Sequence, residues 1–132
     1  MEKVFFISGN VPSLKNGKIK TKYGIVNSKA IKKWRALTKK TWEGYRQEFV
    51  DLAKESTTPV LFIHLTFIKS IRTLFDYYGP GETIMDEMVI HNWINDDNAY
   101  QIVPVFGKFR VDKEKAGVEI RLLKEIPKYE FL

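Results

Sequence analysis

The apolar positions of this chain follow two periods, one typical of helices and one typical of strands. From Ser28, a residue suited to capping a helix, to about Lys54, apolar residues recur every three or four positions, which predicts a long amphipathic helix. Its predicted apolar stripe comprises Ile31, Trp34, Leu37, Thr38, Trp42, Tyr45, Phe49 and Leu52. At this spacing we expect Trp34 and Trp42 to pack in the core rather than to stack on bases.

Short runs rich in β-branched and aromatic residues predict strands at about residues 3–8, 60–70, 99–111 and 118–123. The third of these is expected to bend at Pro104 and Gly107. A second helix is predicted from Gly81 or Glu82 to about Trp93. For residues of about 10–27 the sequence leaves two alternatives open. The Asn16-Gly17 pair predicts a hairpin that turns there, whereas the alternating lysines are equally typical of a basic flexible arm.

The element order is therefore β-α-β-α-β-β, which predicts an α+β fold with a mixed β-sheet packed with two main helices. At 132 residues we expect a single domain spanning residues 1–132. The chain has no cysteine, which excludes disulfides and thiolate metal sites. The first apolar run is too short for a signal peptide, and no run is long enough to span a bilayer, so we expect a cytoplasmic protein with no membrane partner.

Charge is strongly segregated along the chain, whose formal net charge is +6. Between Lys3 and Trp42 there are eleven Lys or Arg residues and no acidic residue, whereas Thr73–Gly107 contains no Lys or Arg. Each block alone is typical of a solvated face. Together they indicate a positive surface that holds an anionic polymer and a negative region that holds a cation.

The acidic block is centred on FDYYGPGETIMDEMVIHNWINDDN, Phe75–Asn98, and contains six carboxylates. They are Asp76, Glu82, Asp86, Glu87, Asp96 and Asp97. Singly, each has an ordinary explanation, such as a charge near a helix N-terminus or a turn residue. Together they suit a hard divalent cation such as Mg²⁺, which would relieve the repulsion between Glu82 and Asp86 on one side of a helix. Zinc is disfavoured, because His91 is the one histidine of the block.

Three segments carry a resemblance to a known family. They are GNVPSLKNGKIKT, NSKAIKKWRALTKK, and the series Asp76, Asp86-Glu87-Met88 and Asp96-Asp97 followed by QIVPVFGKFRVDKEKAGVEIRLL. Over most of its length the chain thereby resembles the RusA-like Holliday junction resolvases of phages and bacteria. The resemblance implies a Mg²⁺-dependent endonuclease, encoded by a phage or prophage, that acts as a homodimer on branched double-stranded DNA in recombination and repair.

Carried onto this sequence, the resemblance implies catalytic roles for Asp76 and Asp97, with Glu82 as a substitute carboxylate. The metal, Mg²⁺ or alternatively Mn²⁺, would be held by Asp76, Glu82, Asp96 and Asp97. The DNA-binding residues would be Lys15, Asn16, Lys18, Lys20, Lys22, Lys29, Lys32, Lys33 and Lys39.

The chain departs from the family pattern at three positions. Tyr78 stands where the family has a second metal-binding Asp, Gly79 where it has Asn, and Glu82 where it usually has Lys. One interpretation is a divergent nuclease in which Glu82 returns the carboxylate lost at position 78. The other is a protein of the same fold that binds branched DNA or another nucleic acid and cleaves it weakly or not at all.

Overall fold

The computed structural model describes residues 3–13, 18–21, 24–27, 29–72, 76–96 and 101–125, with 18–21 and 24–27 described by their backbone alone. The described strands are β1 (Phe5–Ser8), β2 (Lys18–Thr21), β3 (Gly24–Asn27), β4 (Leu61–Lys69), β5 (Ile102–Phe106), β6 (Arg110–Val111) and β7 (Gly117–Leu123). The described helices are α1 (Lys29–Lys54) and α2 (Tyr78–Ile90). Neither helix is both long and apolar enough to cross a membrane.

The main sheet has the strand order β1-β7-β4-β5, with β6 pairing the far end of β4. β7 is antiparallel to both of its neighbours, whereas β5 and β6 run parallel to β4. The chain must cross over between the parallel strands β4 and β5, and α2 lies in that connection. The predicted α+β class with a mixed sheet and two helices is confirmed.

The predicted bend in the third long strand divides it into β5 and β6. Pro104 lies on the edge strand β5, where its missing N–H removes no ladder hydrogen bond from the sheet interior. Gly107 follows at the break and packs against β4, where a Cβ would lie 2.6 Å from His64 Cε1 and 2.8 Å from the Thr66 hydroxyl. The absence of a side chain at Gly107 therefore lets the edge strand approach β4 closely.

The core lies between one face of the sheet and the two helices. Ile63, Leu65 and Phe67 of β4, on one face as the alternation predicts, join Val118 and Ile120 of β7. Packed against them are aromatic side chains, of which Trp34, Trp42, Phe49 and Trp93 are buried. Trp34 and Trp42 are core residues, as predicted.

The apolar stripe of α1 is confirmed except at Leu37, which is 73% exposed, so that part of the prediction is wrong. Leu37 lies about 100° around the helix from its neighbour Thr38. Thr38 takes the core position because its hydroxyl donates to the Trp34 carbonyl (2.9 Å) and accepts from the Trp42 indole N–H (3.2 Å). Thr38 is therefore buried without leaving its hydroxyl unpaired, whereas Leu37 faces away from the core.

The helix α2 begins and ends three residues earlier than predicted. It begins at Tyr78, whose N–H donates to Asp76 Oδ1 at 2.8 Å, and Pro80 is tolerated in its first turn. It ends where Asn92 takes a left-handed conformation, with φ of 60°. The Asn92 N–H donates to the Val89 carbonyl and the Trp93 N–H to the Met88 carbonyl, which is the Schellman pattern of a helix C-terminus.

Within the basic arm, β2 and β3 pair in antiparallel orientation, so a hairpin is present, but it is not the predicted hairpin that turns at Asn16-Gly17. Its register joins Thr21 to Gly24, which puts the connection at positions 22 and 23 rather than at the predicted Asn16-Gly17 turn. Both of these connections lie outside the described residues.

Candidate nucleic-acid interface and acidic site

The first half of α1 carries a cluster of exposed lysines. Five lysines lie outside its buried stripe, and all five are exposed: Lys29, Lys32, Lys33, Lys39 and Lys40. We call these residues the basic face. The first turn of α1 carries no acidic residue, although the positive end of the helix dipole favours acids there. The lysine in this turn, Lys29, therefore gains nothing from the helix dipole.

The rest of the predicted DNA-binding set lies in the arm before α1. The backbone of Lys18 and Lys20 belongs to β2, paired with Asn27 and Ile25 of β3. Lys15, Asn16 and Lys22 lie outside the described residues. Contact between the arm and DNA therefore stays a prediction.

Arg35 joins the basic helix α1 to the acidic helix α2. Its Nη2 donates to Asp86 Oδ2 at 2.6 Å and its Nε donates to Glu87 Oε1 at 2.5 Å. Glu87 is fully buried, and its second oxygen lies 3.1 Å from His91 Nε2. The His91 ring in turn stacks on Trp42 of α1, with centroids 5.9 Å apart and an interplanar angle of 7°. Two of the six carboxylates thus hold the helices together instead of standing open to a metal.

The sequence analysis grouped Arg35 with the other basic residues of the first half of α1 and did not predict its pairing with α2. Two features of the sequence indicate this pairing. Arg35 borders the apolar stripe rather than facing away from it, and Glu87 and His91 are four residues apart, a spacing that allows contact on a helix.

The remaining described carboxylates surround the two ends of α2. Asp76 is exposed just before α2, whose N-cap position is Tyr77, and its Oδ1 accepts a hydrogen bond from the Tyr78 N–H. Glu82 is exposed one turn further along the helix, and Asp96 is exposed after the turn that follows it. Asp97 lies outside the described residues.

Oxygen donors that are exposed in this way suit Mg²⁺ or Mn²⁺. The described part of the chain gathers no group of three or more His, Cys, Asp or Glu side chains around one point. Asp76, Glu82 and Asp96 are all described, so the structure does not bring these three side chains together as one ligand group. Since Asp97 lies outside the described residues, the four-carboxylate site stays a prediction.

The loop after β1 packs against the N-terminal part of α2 and fixes its position at one edge of the sheet. The Thr83 hydroxyl donates to the Pro12 carbonyl at 2.7 Å. Asn10 exchanges two hydrogen bonds with Ser70, which follows β4, at 2.8 and 3.0 Å. These contacts tie the ends of β1 and β4 together immediately before the segment that leads to Asp76.

The three departures from the family pattern have distinct surroundings. A Cβ at Gly79 would overlap the Ser13 hydroxyl, so the space for an Asn side chain is already filled. Tyr78 is 76% exposed, and Glu82 points its charge to solvent on the same outward stripe of α2. Among the described residues, no polar contact replaces the positive charge that the resemblance would place at position 82.

Models of known protein families and curated proteins were both searched, and neither search found a match to this sequence.

Proposed function

We propose that this chain binds branched double-stranded DNA through the basic face of α1 and cleaves it with a divalent metal held near α2. The observation that carries the proposal is the pair of hydrogen bonds from Arg35 to Asp86 and Glu87, which fixes the basic helix against the acidic helix. These hydrogen bonds support the proposal because they join the basic segment of the sequence to the acidic one.

The spacing along the helices supports this arrangement. Lys32 and Lys39 lie within about one helical turn of Arg35, and Glu82 lies one turn, about 6 Å, from Asp86. A phosphate backbone held by the basic face would therefore pass within a few helical turns of Glu82. Lysine contacts to phosphate supply affinity and position without reading base sequence, as a structure-selective enzyme requires.

Asp76, Glu82, Asp96 and Asp97 are the residues that would hold the metal. Bound there, Mg²⁺ or Mn²⁺ would activate water and stabilise charge on the phosphate, as the hydrolysis of a phosphodiester needs. The chain's own contribution is orientation: Asp76 Oδ1 is fixed by the Tyr78 N–H, and α2 is fixed by Arg35. The basic face would neutralise the DNA strand as it approaches these carboxylates.

Binding is tested with a variant in which Lys29, Lys32, Lys33 and Lys39 are changed to Gln. The matched control changes Lys54, Lys108, Lys113 and Lys124 to Gln, which removes the same charge from exposed positions elsewhere. Fluorescence anisotropy with a labelled four-way junction should show a large loss of affinity for the first variant and a small one for the control. Equal losses would mean that net charge, and not the basic face, governs binding.

Metal binding and cleavage are tested separately from DNA binding. Titration calorimetry with Mg²⁺ and Mn²⁺ should show binding that Asp76→Asn and Glu82→Gln weaken, whereas Asp51→Asn on α1 leaves it unchanged. The same substitutions at Asp76 and Glu82 should abolish junction cleavage. Cleavage that survives Asp76→Asn would refute the site assignment.

The second candidate is a protein that binds nucleic acid without cutting it. It is favoured by Tyr78, Gly79 and Glu82, where the family's pattern is broken, and by the structural use of Asp86 and Glu87. Tight junction binding with no metal uptake and no cleavage in Mg²⁺ or Mn²⁺ would decide for this candidate. Sedimentation of the same samples tests the homodimer that the resemblance implies.

A further inference from the structure

Tyr78 is an aromatic side chain that the fold does not use for its core. It is 76% exposed, the largest value among the exposed large hydrophobic residues of the described chain. The Tyr78 ring is therefore open to a ligand, and the groups around the ring decide which ligand it suits.

The position of Tyr78 is nevertheless well defined. Its backbone N–H is bound to Asp76 Oδ1, and its ring makes an edge contact with Phe106, with centroids 6.3 Å apart at 77°. Phe106 in turn contacts Tyr77, whose hydroxyl accepts a hydrogen bond from the Phe109 N–H at 3.2 Å. Tyr78 is thus the outermost ring of a supported aromatic group, which limits the entropy lost when a ligand stacks on it.

The neighbours of Tyr78 restrict what this ring can bind. Asp76 precedes it by two residues and Glu82 follows one turn later on the same outward stripe, both exposed. In the proposed function these two carboxylates hold the metal that meets the scissile phosphate, whereas the electron-rich face of the tyrosine ring does not attract phosphate. A neutral nucleobase presents a π-face without charge, and stacking on aromatic side chains is how proteins hold unpaired bases.

From this geometry we infer that Tyr78 is the stacking platform for a base whose π-face is exposed at the branch point of bound DNA. The inference rests on the proposed function, because the basic face supplies the phosphate contacts that bring the branch point to α2. It adds the feature of the substrate that those contacts lack, since phosphate contacts do not distinguish a base that is stacked on both faces from one that is not. Inside a continuous duplex every base is stacked on both faces, whereas stacking is interrupted at an open branch point, so Tyr78 would act in the choice of branched over linear DNA.

The test compares a four-way junction with a blunt duplex of the same sequence, with Ca²⁺ in place of Mg²⁺. Tyr78→Ala should weaken junction binding by about 5- to 150-fold, the range that the loss of one stacked base gives, and leave duplex binding unchanged. Tyr78→Phe and Tyr78→Trp should bind the junction as the wild type does. The control is Ile90→Ala, which removes an exposed apolar side chain from the other end of the same stripe and should change neither affinity.

The possible failures are distinguishable. If the wild type binds both DNAs and Tyr78→Ala loses nothing, or loses equally on junction and duplex, the stacking inference is overturned while the basic face stands. If Tyr78→Ala alters the sedimentation coefficient of the protein without DNA, the ring belongs to a protein interface and the inference is again overturned. If the wild type binds neither DNA, the proposed function fails and this inference fails with it.

Discussion

Replacing Arg35 by Met should destabilise the fold strongly, because it leaves the buried carboxylate of Glu87 with one partner, His91. Removing one member of a buried ion pair costs about 3–5 kcal/mol. Arg35 is 24% exposed on its side chain, which lets water reach the vacated position, so we expect the lower end of that range, about 3 kcal/mol. The lost contact to Asp86, which is 44% exposed, adds about 0–1 kcal/mol.

Urea unfolding measured by circular dichroism checks this magnitude. With a slope of about 2 kcal/mol per molar urea, a loss of 3 kcal/mol lowers the midpoint by about 1.5 M. The control is Lys39→Met, which removes a lysine whose contact to Glu43 is 4.0 Å long and exposed, and should stay within about 0.5 kcal/mol of the wild type.

A second substitution tests the cause of the loss. Glu87→Gln in the Arg35→Met background removes the buried charge while keeping an acceptor for His91, so it should restore at least about 1 kcal/mol. A midpoint for Arg35→Met equal to that of Lys39→Met would refute the reasoning. A further loss on adding Glu87→Gln would also refute it, because the buried charge would then not be the source of the cost.

Two more predictions concern packing and pH. Gly79→Ala should destabilise the protein by about 1–3 kcal/mol, because the new Cβ overlaps the Ser13 hydroxyl. Gly44→Ala should stabilise it by up to about 1 kcal/mol, because a Cβ there has nothing within 4 Å. Calorimetric melting that gives both substitutions the same sign would contradict this prediction. Burial acts to raise the pKa of Glu119, but hydrogen bonds and charge from its two arginine partners outweigh it and hold the pKa below its ordinary value of 4.5. The Glu119 carboxylate thus stabilises the fold above about pH 4.5, and this stabilisation is lost as the pH falls through the lowered pKa. Glu119→Gln should therefore reduce the loss of unfolding free energy at acid pH, as measured by urea unfolding at several pH values. Glu114→Gln, at an exposed position, should leave that pH dependence unchanged.

Local periodicity was enough to predict the elements of this fold, because strands and helices bury residues at fixed spacings. The stripe that begins at Ile31 predicted α1 almost to the residue, and alternation predicted β4 and β7. The prediction from periodicity was wrong at Leu37. Hydrophobicity alone does not show that the Thr38 hydroxyl forms its hydrogen bonds within the helix, which allows Thr38 to be buried. Local periodicity also misplaced α2, whose limits depend on the hydrogen bond from the Tyr78 N–H to Asp76 and on the left-handed Asn92 rather than on apolar spacing.

The site was less accessible to sequence reasoning, because charge patterns do not show which residues pair across the fold. Arg35 and Glu87 are 52 residues apart, and the acidic block viewed alone suggested one common cluster. The structure divides that block into Asp86 and Glu87, which bind α1, and the exposed Asp76, Glu82 and Asp96. The contact between Arg35 and Glu87 also brings basic residues of α1 next to acidic residues of α2. The charge pattern suggested this proximity but did not identify the residues that create it.

The salt dependence of junction binding tests the central claim most directly. The logarithm of the association constant should fall linearly with the logarithm of salt concentration, with a slope of about −0.9 for each phosphate neutralised. Changing Lys29, Lys32, Lys33 and Lys39 to Gln should make that slope shallower by up to about 3.6, because up to four phosphate contacts are removed. A slope that is flat in the wild type, or unchanged in the variant, would contradict the assignment of the basic face as the DNA-docking surface.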